Sequence, residues 1–596
     1  MTSTTGTLRA LLVLLVALIG GGCAFAEPEH EDAKRPNVVV FLADDQGWGD
    51  LSLHGNKDLS TPHIDSLAKD GVRFDRFYVC AVCAPTRAEF LTGRYHPRTG
   101  VHGVSRGAER MNLDETTIAD AFQAAGYATG CFGKWHNGMQ YPYHPRARGF
   151  DTFVGFCSGH WGDYFDAELE RNGEYFQSEG YITDVVTSEA IRFIEASVKN
   201  DKSFFCFVPL PTPHSPMQVP DEYWDRHKDK LFEMKHGRAD AHTRAAFAMV
   251  ENIDDNVGRV LATLDELELA GNTIVIYFSD NGPNGERWNN GMKGRKGSLD
   301  EGGVRSALFM RWPNGIPEAT TYPNTAGAID LKPTLTRLAE IEPAGDKPMD
   351  GLDLSAVLLG AVAPTAIPPR TIGSHQNGKV SLRVGDYLLN QDGRLYNLRD
   401  DPTQSKDLTN REPQIAEDLR QSLARWREDV GLNNNRERRP FTVGHQDWPV
   451  TELPARDAKS KGGIKRSSPH PNCSYFYNWT RKNDAIVWDV EVLTPGRYEA
   501  HVYYTCSKAD VGSTIELRLG DAAVSGQVTQ AHDPPLEGEA ENRIFMRESY
   551  TKDFKPMPLG VIELEAGRGE MSLRAIEIPG EEVIDFRRLM LKRVAD

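Results

Sequence analysis

The stretch Asn37-Val38-Val39-Val40-Phe41-Leu42-Ala43, which continues into Asp44-Asp45, indicates how this chain folds. Its apolar residues follow one another without alternating with polar ones, which is typical of a strand buried on both faces. Three later runs share this form and also end in polar residues. They are residues 127–133 before Lys134-Trp135-His136, residues 203–209 before Pro213-His214, and residues 273–279 before Asp280-Asn281.

Helical patterns separate these four runs along the chain. They lie at residues 61–69, 116–125, 185–198 and 243–269. Strands that alternate with helices predict an α/β fold, with a mostly parallel central sheet and helices on both faces. Because ligands bind at the carboxyl ends of such strands, we expect the polar residues after the four runs to meet at one edge of the sheet.

A second informative stretch is Cys83-Ala84-Pro85-Thr86-Arg87, followed by Leu91-Thr92-Gly93-Arg94. Pro85 suits the first turn of a helix and Gly93 suits its end. Cys83 would then lie at a helix N-terminus, where free backbone N–H groups favour an anion, and Arg87 would add a positive charge one turn further on. Taken alone, Cys83 is also compatible with a buried thiol that only packs.

This cysteine stretch resembles the signature of the type I sulfatases, a formylglycine-dependent family of the alkaline-phosphatase-like superfamily. The resemblance implies that Cys83 is oxidised to Cα-formylglycine by a formylglycine-generating enzyme or an anaerobic sulfatase-maturating enzyme. It also implies a hydrolase of sulfate esters. In such a hydrolase, one hydroxyl of the hydrated formylglycine attacks sulfur and forms a covalent sulfo-enzyme intermediate.

Carboxylate and amide groups at the predicted strand ends supply only oxygen ligands, which suit a hard divalent cation. The candidates are Asp44, Asp45, Asp280 and Asn281. Sulfatases bind calcium through residues in these motifs, with the formylglycine as a further ligand. The resemblance therefore implies one calcium ion per chain, to which Cys83 contributes after its oxidation and which polarises a sulfate oxygen.

The resemblance further implies a group of catalytic side chains around the sulfate. They are Cys83, Arg87, Lys134, His136, His214 and Lys296. Lys134 and Lys296 would hold the sulfate, and His136 would act on the second hydroxyl of the nucleophile. His214 would protonate the leaving oxygen. Further candidates for substrate contact lie in loops near these motifs: His160, Trp161, Asp163, Arg287 and Trp288.

The N-terminus resembles a secretory signal. Arg9 precedes the apolar residues 11–19, and small residues precede Glu27, which predicts cleavage after Ala26. The apolar run is short for a membrane span, so we expect no integral membrane segment and a secreted or periplasmic protein. A lipid anchor through Cys23 is the alternative, but the three glycines before it fit a lipobox poorly.

Composition and pattern divide the remaining chain into segments. We predict a signal peptide over residues 1–26, a sulfatase catalytic domain over 34–360, a small α+β subdomain with an antiparallel sheet over 370–432, a polar linker over 433–468 and a β-sandwich over 469–596. Short, evenly spaced strand patterns predict the sandwich, which resembles the carbohydrate-binding sandwiches of polysaccharide-active enzymes. Its aromatic residues are candidates for stacking on sugars, although most such residues pack in a core. They are Tyr475, Phe476, Tyr477, Trp479, Tyr503 and Tyr504.

The composition limits the function classes that remain. The chain has 596 residues and a net charge of −17, which indicates an acidic protein and argues against a nucleic-acid partner. Export and the appended sandwich favour a sulfated polysaccharide or oligosaccharide as the substrate. The alternatives are an arylsulfatase that acts on small sulfate esters, a formylglycine-dependent phosphonate or phosphate ester hydrolase, and a non-catalytic glycan-binding protein.

Overall fold

The computed structural model describes residues 35–232, 237–432, 439–545, 548 and 550–594. The predicted signal peptide and Cys23 lie outside these residues. Within the described ranges, none of the helices combines the length and the hydrophobicity that a membrane crossing requires.

A mixed sheet forms the centre of the N-terminal region. Its strands are β1 (Asn37–Ala43), β2 (Val72–Tyr78), β3 (Ala128–Lys134), β4 (Thr152–Phe156), β5 (Glu168–Arg171), β6 (Glu174–Gln177), β7 (Phe204–Pro209), β8 (Thr273–Ser279), β9 (Arg305–Ser306), β10 (Leu308–Arg311) and β11 (Thr320–Gly327). Their order is β11-β2-β10-β8-β1-β7-β3-β4-β5-β6, with β9 paired to β2. The strands predicted from the sequence are the consecutive parallel neighbours β8, β1, β7 and β3, whereas antiparallel pairs lie toward both edges.

Helices cover both faces of this sheet, as the alternation of side chains along β1 shows. Val38 and Val40 belong to one buried apolar cluster, and Val39 and Phe41 belong to another. The helices are α1 (Pro62–Lys69), α2 (Cys83–Thr92), α3 (Ile118–Ala124), α4 (Ile182–Lys199), α5 (Asp221–Trp224), α6 (Gly237–Glu266), α7 (Glu301–Val304), α8 (Leu331–Leu338), α9 (Ser355–Leu358) and α10 (Pro413–Asp429). The predicted α/β fold class is therefore confirmed.

A small antiparallel sheet follows the central region, as predicted. Its strands are β12 (Thr371–Gln376), β13 (Lys379–Val384), β14 (Tyr387–Leu389) and β15 (Leu395–Asn397). Helix α10 packs against it, and Leu389 and Leu395 of the sheet share a buried cluster with Ala416 and Leu419 of the helix.

Two six-stranded sheets form the C-terminal β-sandwich in the described part of the chain. Its strands are β16 (Phe441–Val443), β17 (Val450–Pro454), β18 (Lys459–Lys461), β19 (Lys465–Arg466), β20 (Phe476–Tyr477), β21 (Ala485–Val492), β22 (Gly496–Thr505), β23 (Thr514–Leu519), β24 (Ala522–Gln527), β27 (Lys555–Leu564), β28 (Gly567–Glu577) and β29 (Asp585–Arg593). A separate pair, β25 (Leu536–Glu537) and β26 (Thr551–Lys552), lies in the long connection between β24 and β27, which we call the excursion. Among the aromatic candidates, Phe476, Trp479 and Tyr504 are buried in the sandwich core and have no free face for a sugar.

The structure differs from the linker predicted over residues 433–468. In the described part of that range, β16 to β19 belong to the sandwich sheets. Some polar residues of this range are buried against the N-terminal region, where they have polar partners, whereas others such as Lys459 and Lys461 are exposed. Arg456 is 2% exposed and lies 3.8 Å from Glu109. The Arg110 guanidinium donates a hydrogen bond to the Pro440 carbonyl at 2.6 Å.

Candidate active site

Helix α2 begins at Cys83, whose side chain is buried. The helix ends at Gly93, which has a φ of 71° and donates its N–H to the Glu89 carbonyl, as the sequence predicts. Burial raises the pKa of the Cys83 thiol, although Lys134 and Lys296 act in the opposite direction. The thiol is therefore protonated at neutral pH and is a weak nucleophile in its unmodified form.

Three buried carboxylates gather where β1 and β8 end, and each has its own cationic partner. Lys134 Nζ donates to the Asp44 carboxylate. Lys296 Nζ lies 2.6 Å from Asp45 Oδ1, and Arg87 Nη2 lies 2.8 Å from Asp280 Oδ2. The expected convergence of the strand ends is therefore present, and it brings Cys83 within the same cluster as Asp44 and Asp280.

The donor atoms at this edge fit a hard divalent cation. Asp44 Oδ1 and Asn281 Oδ1 are buried and have no hydrogen-bond partner among the described residues. The Asn281 amide nitrogen donates to Asp45 Oδ1 at 2.8 Å, so its oxygen remains available as a ligand. Orphaned buried oxygens beside three carboxylates are costly unless a cation compensates them. The residues present therefore fit a metal with all-oxygen ligands.

His136 presents a free acceptor nitrogen inside the site. Its Nε2 donates to the Val104 carbonyl at 2.9 Å, so Nδ1 carries the lone pair, and Nδ1 has no partner in the described part of the chain. Burial and the neighbouring Lys134 hold the pKa of His136 well below its usual range. His136 also has a φ of 64°, a backbone conformation that recurs at functional sites. The imidazole is therefore neutral, and the lone pair of Nδ1 is available to accept a hydrogen bond.

His214 faces the carboxylates from the end of β7. Its Nδ1 donates to the Ser215 carbonyl at 2.8 Å, and its Nε2 lies 3.7 Å from Asp45 Oδ2. Burial and Lys296 lower the pKa of His214, whereas Asp45 raises it. In the resting site Nε2 is therefore mostly unprotonated and lies on the side of the ring that faces Asp45.

The further candidates for substrate contact occupy different environments. His160 joins the site, since its ring lies 5.3 Å from the ring of His214. Trp161 is partly buried against Phe156, Asp163 accepts a hydrogen bond from the Phe165 N–H, and Trp288 is 37% exposed.

Arg287, a predicted substrate contact, is held by residues of the protein. Its Nη2 lies 3.0 Å from Asp50 Oδ2 and donates to the Asp45 carbonyl at 2.6 Å. The side chain of Arg287 is fully buried, because it supports the turn that presents Asp45. Its Nε and Nη1 are buried and have no hydrogen-bond partner among the described residues, so a substrate contact by Arg287 stays a prediction.

One residue in this neighbourhood was not predictable from the sequence. Glu548, from the excursion between β24 and β27, places Oε2 2.9 Å from His160 Nδ1 and 2.7 Å from Ser215 Oγ. Burial raises the pKa of Glu548, but His160 outweighs this effect and holds the pKa well below its usual range. No motif surrounds Glu548, so only the tertiary structure reveals it.

Comparison with known proteins agrees with this geometry. Residues 36–341 match the model of the Sulfatase family. N-acetylgalactosamine-6-sulfatase of Canis lupus familiaris is 30% identical over 387 residues, which cover 59% of this chain and 70% of that protein. Steryl-sulfatase of Rattus norvegicus is 32% identical over 434 residues, which cover 59% of this chain and 74% of that protein.

Solved structures share the fold. The crystal structure of Ps i-CgsB in complex with k-i-k-neocarrahexaose is 27% identical, has a TM-score of 0.60, and covers 68% of this chain and 94% of that one. The phosphonate monoester hydrolase of Agrobacterium radiobacter is 19% identical, has a TM-score of 0.51, and covers 66% of this chain and 96% of that one. This similarity shows a shared fold alone. The family match spans Cys83 and every carboxylate and cation paired around it, so this chain belongs to the sulfatase family and is a sulfuric ester hydrolase.

Proposed function

We propose that this sulfatase is exported and removes sulfate from a sulfated polysaccharide or oligosaccharide. The observation that carries the proposal is the buried array of three cations around Cys83 at the edge of the sheet. Each cation is paired with a carboxylate, so the array would stabilise an anion once a metal ion compensates the carboxylates, in a protein whose net charge is otherwise −17. The named relatives support a sugar substrate, because one is an N-acetylgalactosamine-6-sulfatase and one solved structure holds a neocarrahexaose.

Two groups would complete the site. Asp44, Asp45, Asp280 and Asn281, together with modified Cys83, would hold calcium, which supplies positive charge beside a sulfate oxygen when it is bound. Formylglycine made from Cys83 would supply a hydrated aldehyde as the nucleophile toward sulfur. The raised pKa of the unmodified thiol supports the need for this oxidation.

The two lysines would bind the sulfate oxygens. In the resting site the three carboxylates and the three cations balance each other in charge. A divalent cation would therefore leave the site net positive, which matches a sulfate ester that carries one negative charge. Lys134 and Lys296 would then turn from their carboxylates toward the sulfate oxygens and stabilise the charge that develops in the transition state.

The two histidines would move protons at different atoms. The free Nδ1 of His136 would accept the proton of the second formylglycine hydroxyl, so that the aldehyde reforms as sulfate departs. His214 Nε2 would donate a proton to the leaving alcohol. The bound sulfate adds negative charge beside the ring, which opposes the effects of burial and Lys296 on the pKa of His214.

A second candidate, hydrolysis of small aryl or steryl sulfates, is favoured by other relatives. Arylsulfatase J of Mus musculus is 31% identical over 341 residues, which cover 54% of this chain and 55% of that protein. Its identity is close to that of the N-acetylgalactosamine-6-sulfatase, so sequence similarity does not separate the two substrate classes.

The experiment is a substrate panel on protein that is produced with a formylglycine-generating enzyme. Released sulfate is measured by ion chromatography on sulfated oligosaccharides and nitrophenyl sulfate, and released phenol is measured on a phenyl phosphonate. Cys83→Ala serves as the matched inactive control. We expect higher kcat/KM on at least one sulfated oligosaccharide than on nitrophenyl sulfate. No sulfate release from any ester, in protein shown to carry formylglycine, would refute the proposal.

A further inference from the structure

The C-terminal sandwich reaches the active site with two separate segments, although the family match ends at residue 341. The first segment contains Asn472 and Cys473. Ser158 Oγ donates to the Asn472 carbonyl at 3.3 Å, and Cys473 Sγ donates to the His160 carbonyl at 2.9 Å. The sandwich therefore holds the loop that carries His160 beside His214.

The second segment is the excursion between β24 and β27, which lies against the residues that follow His214. Gln218 Nε2 donates to the Gly538 carbonyl at 2.7 Å, and the Arg543 N–H donates to the Met217 carbonyl at 2.9 Å. Ile544 packs against the apolar cluster of the central sheet. This excursion is therefore fixed to the core by both polar and apolar contacts.

Glu548 on this excursion connects the two active-site loops. A single carboxylate oxygen, Oε2, accepts hydrogen bonds from His160 Nδ1 at 2.9 Å and from Ser215 Oγ at 2.7 Å. His160 Nδ1 lies 3.4 Å from His214 Nδ1. His160 and His214 are 4% and 5% exposed, so neither ring moves freely. Glu548 therefore restrains two residues that adjoin His214, namely His160, which packs beside its ring, and Ser215, which follows it in the chain.

We propose that the sandwich forms one wall of the substrate pocket and that Glu548 is a positioning residue, which aims His214 at the leaving oxygen through His160 and Ser215. The inference rests on the proposed function, because it needs His214 to act toward the substrate. A sandwich that only bound polysaccharide at a distance would not require contacts with both loops beside His214.

The inference predicts a dependence on the leaving group. A nitrophenolate departs without a proton, whereas a sugar alkoxide needs one, so a misaimed His214 slows only the second class strongly. Misplacement of a catalytic group by about 1 Å can slow a reaction roughly 100-fold. Glu548→Ala should therefore lower kcat on a sugar sulfate by about 10-fold to 100-fold, and on nitrophenyl sulfate by less than about threefold.

The test uses the full-length, formylglycine-containing protein and four variants. Glu548→Ala removes the acceptor, whereas Glu548→Gln keeps an acceptor oxygen and should restore most of the activity. Ser215→Ala removes one of the two hydrogen bonds to Glu548. It should also slow the sugar sulfate more than nitrophenyl sulfate, but by a smaller factor than Glu548→Ala does. Glu539→Ala changes an exposed carboxylate on the same excursion and should behave like the wild type.

Kinetics on both substrates are read together with the Tm and the calcium content of each variant. Equal losses on the two substrates, or no loss on the sugar sulfate, would overturn the inference. If Glu548→Ala fails to fold, Ser215→Ala decides the question, and unchanged kinetics in that variant would likewise overturn it. Wild-type protein is measured first, because its failure to release sulfate would refute the proposed function and not the role of Glu548.

Discussion

Replacing Gly159 with alanine should damage catalysis much more than stability. A Cβ atom at this position would lie 2.2 Å from His136 Nε2 and 2.7 Å from Asn472 Nδ2. Carbon and nitrogen atoms rarely approach closer than about 3.4 Å without a hydrogen bond, so the imidazole must shift by about 1 Å. That shift also disturbs the hydrogen bond from His136 to the Val104 carbonyl.

The expected magnitudes follow from which atoms must move. Overpacking usually lowers the free energy of unfolding by about 1–3 kcal/mol, and the lower end applies here because both obstructing atoms are side-chain ends. A displacement of about 1 Å lowers a catalytic rate roughly 100-fold. Because we assign His136 to the second step, the variant should release a burst of nitrophenolate close to the enzyme concentration and then turn over slowly.

The assay is stopped-flow release of nitrophenolate from nitrophenyl sulfate, combined with thermal unfolding. Gly463→Ala is the matched control, because a Cβ atom there would approach only Asp484 Oδ2, at 3.3 Å, and Asn478 Nδ2, at 3.9 Å. Steady-state activity within about twofold of the wild type would contradict the assigned role of His136. A slow first turnover without a burst would place His136 in the first step instead.

Four other outcomes are expected. Peptide mass spectrometry should find formylglycine at position 83 in active protein, and full activity with an unmodified thiol would exclude that role for Cys83. Asp280→Ala should lose calcium and activity together, as metal analysis beside a kinetic assay would show, because it removes one of three carboxylates from the oxygen ligands. His214→Ala should slow sugar sulfates far more than nitrophenyl sulfate, and equal losses would transfer the acid role to Lys296. A chain that ends at Leu432 should lose activity on small and polymeric sulfates alike, because removal of the sandwich would also uncover buried groups of the catalytic core such as Glu109, and retained nitrophenyl sulfate activity would contradict this.

The central strands and the candidate site were predictable because their signals are local. Continuous apolar runs marked β1, β3, β7 and β8, and the polar residue after each run belongs at the sheet edge once the strands are parallel. The helix from Cys83 to Thr92 was predictable from Pro85 and Gly93 for the same reason.

The contacts between the sandwich and the core were not predictable, because they join residues far apart in the sequence. A polar residue such as Arg456 looks the same in the sequence whether it lies in a solvated linker or in a buried ion pair. The polar stretch around it therefore predicts a boundary that the structure does not have. Arg287 follows the motif Asp280-Asn281, and its pairing with Asp50, more than two hundred residues earlier, has no local signal in the sequence. Glu548 is one of many acidic residues, and only its distance from His160 distinguishes it.

The one-to-one pairing of buried carboxylates and cations has a thermodynamic consequence. Lys134 and Lys296 are already held by carboxylates. In the proposed mechanism, a sulfate oxygen would compete with the carboxylate for the lysine, and calcium would compete with the lysine for the same carboxylate. Both ligands therefore favour one rearranged state, and their affinities are linked reciprocally. Such couplings are typically about 1–3 kcal/mol. Free sulfate should accordingly slow the loss of calcium to a chelator, and the enzyme should retain its metal best while substrate or product is present.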